Sequence, residues 1–156
     1  MKYIFANDLH SLSFHDAVIK GLSFDGADML WKVDKIYNGD IIRDISTIRF
    51  CNFCIEKAVD AGWEHFADGW GNYTDEKKDE VVIFPDIELN KSEIDELIDE
   101  IRNETPMILS LSDSKVKCGK MVDVMIDFRK DIKLLRNGVA KMKISCSKII
   151  VEWNKA

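Results

Sequence analysis

Apolar and polar residues alternate along much of the chain, and short dipeptides that favour turns interrupt the alternation. In segment 29–37, one face of an extended strand would carry four large apolar residues, because successive side chains of a strand point to opposite faces: Met29, Trp31, Val33 and Tyr37. Asp25-Gly26 precedes this segment and Asn38-Gly39 follows it, and both dipeptides suit tight turns because glycine accepts a positive φ. The pattern predicts a strand between two hairpin turns.

Apolar, β-prone runs also lie on either side of this strand, at residues 17–24 and 41–55. Three such runs joined by two turn signals predict an N-terminal antiparallel β-meander. The C-terminal third resumes the alternation, and Asn137-Gly138 marks a further turn, so we expect C-terminal hairpins there. The expected C-terminal strands are 107–111, 116–128, 132–136, 139–145 and 148–153.

One amphipathic helix is predicted at residues 91–104. Its apolar residues recur at a spacing of three and four, which places them on one stripe: Ile94, Leu97, Ile98 and Ile101. Asn90 precedes the segment and Glu93 follows three positions later, which is the pattern of a capping box. A mainly antiparallel sheet with one helix packed on it is an α+β fold, and no linker rich in proline, glycine or serine divides residues 1–156, so we expect a single domain.

Segment 56–80 follows neither the helical nor the strand periodicity. It is long for an irregular loop in a compact domain, and a short helix within it is one interpretation. The apolar run 81–84 after it is expected to be a buried strand that ends before Pro85.

The same middle segment combines ring-bearing residues with glycines at 62, 69 and 71: Trp63, His65, Phe66, Trp70 and Tyr73. Trp and Tyr are over-represented at binding hot spots, which favours a partner-binding loop. The other interpretation is that these rings cover one end of the sheet as part of the core.

The first twenty residues contain no apolar run of roughly 7–15 residues and no small-residue cleavage site, so we expect no signal peptide. No segment approaches the roughly 18 apolar residues of a transmembrane helix. The expected location is the cytoplasm, and we expect no membrane partner.

The four cysteines are Cys51, Cys54, Cys118 and Cys146. A reducing cytosol does not maintain disulfides, and a CxxC pair within a strand places its two side chains on opposite faces. A zinc knuckle needs its CxxC in a tight turn together with a second pair. We therefore expect buried free thiols, no metal and no cofactor.

The signatures of common enzyme classes are missing from the sequence: a Walker loop, GxGxxG, GxSxG and HExxH. His15 and Asp16 are residue types used in acid–base catalysis, but adjacent side chains of an extended segment point apart. Their alternative role is structural, at the polar start of a strand. We assign no catalytic residue, and a binding protein is favoured over an enzyme, although the enzyme class stays open.

The net charge of −6 is unevenly distributed along the 156 residues. Residues 1–105 carry a net charge of −12, and residues 106–156 carry +6. The acidic excess is densest in segment 56–104, which holds 16 acidic and 5 basic residues. Net negative charge disfavours generic nucleic-acid binding, because it repels phosphate. An acidic surface with aromatic anchors favours a basic protein partner. The alternative is that the acidic residues form a solvated face that aids solubility.

The stretch SFHDAVIKGLSFDGADMLWKV, followed by DISTIRFCNFCIEK, resembles the opening of small, mostly uncharacterised bacterial proteins in which an H-D-[SA] motif introduces a β-meander. The resemblance spans residues 12–56. Some of those proteins are similar to immunity proteins encoded beside polymorphic or contact-dependent toxins. The resemblance implies a non-enzymatic inhibitor of one cognate toxin, in which His15 and Asp16 are structural.

Together these observations predict a cytoplasmic, immunity-like inhibitor that binds a basic toxin, for example a nuclease, through an acidic surface containing aromatic residues. The predicted partner-binding residues are Trp63, Glu64, Asp68, Trp70, Tyr73, Asp75, Glu76, Asp79 and Glu80. The alternative is a small-molecule-binding protein or enzyme with a pocket between the sheet and the 62–73 loop, where His15, Asp16 and His65 would supply the polar groups. The oligomeric state is left open.

Overall fold

The computed structural model of the chain describes residues 2–5, 9–39, 41–67, 73–74 and 80–154. It consists mainly of antiparallel strands with one α-helix, which confirms the predicted α+β fold. A one-turn 3-10 helix follows the first strand, at Leu9–Ser11. In chain order the other elements are β1 (Lys2–Phe5), β2 (Leu12–Ser13), β3 (Ile19–Asp25), β4 (Asp28–Asn38), β5 (Ile41–Cys51), β6 (Cys54–Asp60), β7 (Trp63–Ala67), β8 (Tyr73–Thr74), β9 (Glu80–Phe84), β10 (Ile87–Glu88), α1 (Lys91–Glu104), β11 (Met107–Val116), β12 (Gly119–Asp127), β13 (Val139–Cys146) and β14 (Lys148–Asn154).

The described strands form three antiparallel sheets. The first sheet has the order β1-β14-β5-β4, and β2 and β3 both pair with the far edge of β4. The second sheet has the order β10-β6-β13-β12-β11. The third has the order β8-β7-β9 and is inserted in the chain between β6 and β10, so we call it the inserted sheet.

The predicted N-terminal meander is confirmed, because β3, β4 and β5 are consecutive neighbours in the first sheet. Gly26 and Gly39 adopt φ values of 60° and 67°, the positive values that the two predicted turns require. Asp25 and Asp28 face each other across the first turn, and Arg49 of β5 approaches both carboxylates, at 3.1 and 2.8 Å. The guanidinium therefore offsets a repulsion that the tight turn creates.

The two larger sheets each bury one alternating set of side chains in a single hydrophobic core. The first sheet contributes Met29, Trp31 and Val33 from β4, among others, and the second contributes Val122, Val124 and Ile126 from β12. Because both sets belong to one cluster of buried residues, the sheets pack against each other as two layers. Helix α1 lies beside β3 and adds its own apolar stripe to the same core.

Two paired strands belong to both layers and bend where they pass from one to the other. β5 pairs with β14 in the first sheet, and their continuations β6 and β13 pair in the second. The bend lies at Asn52, whose φ is 50°, and at Ser147 on the neighbouring strand. The predicted strand 41–55 is therefore two strands in different sheets, and we call the bend the sheet corner.

Polar contacts hold the sheet corner in place. The Asn52 N–H donates to Asp28 Oδ1 at 2.9 Å, and the Asn52 side chain donates to Ser147 Oγ at 3.1 Å. The Ser147 N–H donates to the Cys51 carbonyl oxygen at 2.8 Å. The Asn52 N–H, and then the Arg49 guanidinium, lower the pKa of Asp28 below its ordinary value, so this carboxylate stays ionised at neutral pH.

Helix α1 has the predicted bounds and the predicted capping box. Asn90 accepts from the Glu93 N–H at 2.9 Å, and the Glu93 carboxylate accepts from the Asn90 N–H at 3.0 Å. Leu97, Ile98 and Ile101 are buried. In the described ranges, no helix combines the length and the apolar character needed to cross a bilayer.

Several segments differ from their sequence predictions. The predicted strand 116–128 contains the turn between β11 and β12 at residues 117–118. Residues 132–136 form a loop with one isolated bridge, Ile132 to Leu135, instead of one strand of a hairpin. In β11 a register shift between Ile108 and Ser110 breaks the predicted alternation, so Ile108 is buried.

The middle segment also differs from its prediction. The described parts of segment 56–80 are strands and connections, and no helix lies in them. The strand predicted at 81–84 is present as β9, but the prediction that it is buried is wrong, since Ile83 is 67% exposed.

The left-handed backbone at Asn52 predicts a specific mutational pattern. We expect Asn52→Ala to destabilise the protein by about 1–2 kcal/mol, because alanine tolerates this conformation poorly and the bond to Ser147 is lost. Asn52→Gly should cost less, since glycine accepts the positive φ. Urea denaturation measures both losses, with Asn137→Ala in an exposed bend as the matched control. Equal losses for the alanine and glycine variants would contradict a strained corner.

Candidate functional site

The inserted sheet is attached to the second sheet by an ion pair between a buried carboxylate and a partly exposed arginine. Asp60, at the end of β6, is 4% exposed and is the one buried charged residue in the described part of the chain. Arg136 Nε donates to its Oδ2 at 2.6 Å, and Arg136 Nη2 donates to the Asp60 carbonyl oxygen at 3.1 Å. The same Nη2 donates to the carbonyl oxygen of Pro85 at 2.8 Å. One arginine thus joins the two chain ends of the inserted sheet to the loop 129–138.

Trp63 lies at this attachment. Its ring stacks on Phe84 with the centroids 4.4 Å apart, and the Arg136 guanidinium lies 5.3 Å from its centroid. Gly62 precedes it in a place without room for a side chain, because a Cβ there would lie 2.1 Å from the Phe84 carbonyl oxygen. The Gly62 N–H donates to Asp86 Oδ1 at 2.6 Å. Trp63 is half-buried and packs at the attachment of the inserted sheet.

The other eight predicted partner-binding residues follow Trp63 in the chain. Glu64, Tyr73 and Glu80 lie in β7, β8 and β9, where the structure describes the backbone only. The remaining members of the predicted set lie outside the described residues: Asp68, Trp70, Asp75, Glu76 and Asp79. The prediction that this segment contacts a partner stays a prediction.

The acidic segment and the basic C-terminal third pair with each other in space. Three of the acidic residues of segment 56–104 bind basic side chains from beyond residue 106, in the pairs Asp60–Arg136, Asp86–Lys141 and Glu104–Lys130. The charge separation along the sequence is therefore partly neutralised by folding, and fewer carboxylates remain for a partner than the sequence count implies.

The exposed side of helix α1 keeps its carboxylates. Asp95, Glu96 and Asp99 are exposed and lie within little more than one helical turn. Arg102 approaches Asp99 at 3.9 Å, a separation at which an exposed pair contributes little. This is the described part of the acidic segment that faces solvent as one surface.

A groove of about 560 Å³ runs between α1 and the sheet corner. We call it the aromatic groove, and its lining includes Phe24, Phe53, Ile55, Ile94, Asp95 and Asp99. Phe24 is 47% exposed and stacks on Phe53 with the ring centroids 5.7 Å apart. Arg102 lies 5.6 Å from the Phe24 centroid and donates to the Leu22 carbonyl oxygen at 3.3 Å, so its charge is engaged within the chain. The groove combines exposed apolar surface with two carboxylates and two basic side chains, since Lys91 and Arg102 also line it.

Sequence reasoning did not identify this groove. Phe24 was assigned to a strand and Phe53 to the run that the sheet corner divides. The sequence does contain one signal of the groove. Each phenylalanine lies next to a break in strand periodicity, where a large ring is not covered by the next strand. Their convergence depends on how the corner bends, which the sequence pattern does not specify.

A second cavity, of about 240 Å³, lies on the outer face of the second sheet. Its lining includes Lys57, Val59, Asp86, Ser112, Asp123 and Lys143. None of Trp63, His15 and Asp16 lines this cavity. It is therefore not the pocket beside the 62–73 loop that the small-molecule alternative predicts. The His65 side chain lies outside the described part of the structure.

His15 and Asp16 lie in a turn instead of an extended segment, and the prediction that their side chains point apart is wrong. His15 Nδ1 lies 3.1 Å from Asp16 Oδ2, because Asp16 has a left-handed φ of 65° that turns the two side chains towards each other. The Asp16 N–H donates to the Ile108 carbonyl oxygen at 2.9 Å, which ties the turn to β11. Both side chains are exposed, and neither lines a described cavity.

The expectation of buried thiols holds for two of the four cysteines. Cys51 and Cys146 are buried, and burial raises the pKa of the Cys146 thiol to about 11. Cys54 and Cys118 are exposed, because one follows the sheet corner and the other lies in the β11–β12 turn. Among the described residues, no group of three or more histidine, cysteine, aspartate or glutamate side chains is placed to hold a metal ion.

Comparisons with protein-family models, with curated proteins and with solved structures find no match for this chain. The candidate site is therefore defined by geometry and charge alone. Its described part is the aromatic groove and the adjacent carboxylates of α1.

The Asp86 contacts predict a pH-dependent contribution to stability. The Gly62 N–H, more than Lys141, lowers the pKa of Asp86 below its ordinary value of 3.8. The carboxylate therefore stabilises the fold fully above the unfolded pKa, and this contribution disappears as the pH falls through the lower folded pKa. We expect Asp86→Asn to lower the free energy of unfolding by roughly 1 kcal/mol at neutral pH. This is less than the usual contribution of a charged hydrogen bond, because solvent screens this half-exposed group.

Urea denaturation between neutral and acidic pH tests this expectation. The difference between the native chain and Asp86→Asn should narrow as the pH falls below about 4, where the native carboxylate becomes protonated. Glu88→Gln, an exposed change on the adjacent strand, is the control and should show no such narrowing. A difference that is constant across this range would show that the Asp86 charge does not anchor the inserted sheet.

Proposed function

We propose that the chain is a non-enzymatic binding protein of the cytoplasm that docks a basic protein partner, in the manner of an immunity protein that inhibits one cognate toxin. The observation that carries this proposal is the aromatic groove with Asp95 and Asp99 along its helical wall. It offers a partner both an apolar anchor site and negative charge.

The groove supplies the part of an interface that contributes affinity. Phe24 and Phe53 in its lining belong to the aromatic class that is enriched at the cores of protein–protein interfaces. Phe24 is held by its stack on Phe53 and by Arg102, so little side-chain entropy is lost when a partner covers it.

The carboxylates supply orientation and speed. Helix α1 contains six acidic and two basic residues, and Asp95, Glu96 and Asp99 point to solvent. Such a surface accelerates the encounter with a basic partner and disfavours acidic ones. A toxin that binds nucleic acid has a basic substrate groove, and an acidic inhibitor can occupy that groove in place of phosphates.

The inserted sheet supplies a second set of partner contacts in the proposal. Its predicted contact residues include six acidic side chains, and the Asp60–Arg136 pair fixes its attachment to the second sheet. The lack of a recognised catalytic motif and the exposure of the His15–Asp16 pair outside both cavities are consistent with binding as the activity.

The direct test mixes the chain with the purified product of the neighbouring gene and measures affinity by calorimetry. We expect a complex that weakens by at least about tenfold when the salt concentration rises from about 0.05 to about 0.3 M, because screening shortens the reach of surface charges. Reversing charge at the groove with Asp95→Lys and Asp99→Lys should weaken binding at low salt by a similar factor. In cells, the native chain should relieve the toxicity of that product and the reversed variant should not.

Two controls make the result specific. Glu88→Lys with Asp131→Lys reverses two exposed carboxylates away from the groove and should leave affinity within about twofold. Cytochrome c, an unrelated basic protein, should bind no more than weakly. The proposal is wrong if no complex forms at low salt, or if reversing the groove carboxylates has no more effect than reversing the control pair while circular dichroism shows both variants folded.

A further inference from the structure

The outer face of the second sheet is concave at its centre. Val59 points to this face, opposite Lys141 on the neighbouring strand, yet it is only 7% exposed. Together with side chains of β11, β12 and β13 it lines the cavity of about 240 Å³ described above. We call this cavity the lysine cleft, after its basic residues Lys57, Lys141 and Lys143.

Two of these lysines lie directly opposite each other. Lys57 of β6 and Lys143 of β13 are Cα partners in the antiparallel pairing, and both line the cleft. Like charges at directly opposed positions destabilise a sheet, so this pair costs stability in the free chain. A bound anion would remove that cost.

Acidic side chains compensate only part of the positive charge. Lys143 Nζ donates to Asp123 Oδ1 at 2.9 Å, and Lys141 Nζ donates to Asp86 Oδ2 at 3.4 Å. In the described ranges Lys57 has neither a hydrogen-bond partner nor an ion-pair partner. Among the described residues the cleft therefore holds three ammonium groups and two carboxylates, and the carboxylates pair with Lys141 and Lys143.

The rest of the cleft is suited to an apolar body. Val59 and the half-buried Met125 contribute apolar surface, and Ser110 and Ser112 on β11 place hydroxyl groups at the far wall. The volume lies below the roughly 300–1,000 Å³ of pockets for drug-sized ligands, which limits the occupant to a small molecule.

We propose that the lysine cleft binds a small organic anion, a carboxylate or phosphate ester that carries one apolar group. The anionic group lies between Lys57 and Lys143, and the apolar group covers Val59 and Met125. This site lies on the second sheet and is separate from the aromatic groove, so it does not depend on the proposed protein partner.

The test follows the methyl group of Met125 by NMR in a chain labelled at its methionine methyls. Phenyl phosphate and phenylacetate are the probes, benzyl alcohol is the neutral analogue, and inorganic phosphate is the anion without an apolar group. We expect a saturable shift of the Met125 signal with at least one aromatic anion, little change with benzyl alcohol, and none at Met29, which is fully buried in the core. Whichever of phenyl phosphate and phenylacetate binds with the higher affinity shows whether the cleft prefers a phosphate ester or a carboxylate.

The variant Lys57→Gln should weaken binding of that probe by about tenfold and should remain folded, since it removes a like-charge contact. Lys117→Gln, which removes an exposed lysine in the β11–β12 turn, is the matched control and should bind normally. The variant Asp95→Lys with Asp99→Lys should also bind the probe normally. The proposal is overturned if no anion shifts Met125 saturably, if benzyl alcohol binds equally well, or if the Lys57 and Lys117 variants lose affinity equally.

Discussion

At the sheet corner, one pair of strands passes from the first sheet into the second. The paired strands β5 and β14 leave the first sheet at Asn52 and Ser147 and continue as β6 and β13 in the second, so the two layers share one continuous ribbon. The bend brings the alternating apolar faces of both sheets into one core. Beyond the corner, β6 presents its residues in order to the aromatic groove, to the lysine cleft and, at Asp60, to the attachment of the inserted sheet.

Folding changes the meaning of the charge distribution. The sequence separates an acidic segment from a basic C-terminal third, but three ion pairs bring these parts together. Of these three pairs, Asp60–Arg136 is the best shielded from solvent. The Arg136 side chain stays partly exposed, and its bonds to Asp60 and to the Pro85 carbonyl oxygen hold the inserted sheet against the second sheet. The carboxylates on the exposed side of α1 are left for interaction with a partner. The lysines of the cleft line a different cavity, on the outer face of the second sheet.

The sequence was sufficient where local rules act alone. The capping box at Asn90, the turns at Gly26 and Gly39 and the stripe of α1 follow from spacing and backbone preference, and the structure confirms them. The corner at Asn52, the register shift after Ile108 and the convergence of Phe24 with Phe53 depend on how distant strands pair, and periodicity does not encode that pairing. The candidate surface was predicted from charge counts, which do not show that Asp60, Asp86 and Glu104 are engaged within the chain.

Amide hydrogen exchange, measured on the chain alone and in complex with the product of the neighbouring gene, tests whether the aromatic groove binds the partner. We expect new protection in α1 and at residues 53–55, the two walls of the aromatic groove, with β12 and β13 unchanged. Protection confined to β12 and β13, or a complex in which α1 exchanges as it does in the free chain, would contradict the claim that the aromatic groove binds the partner.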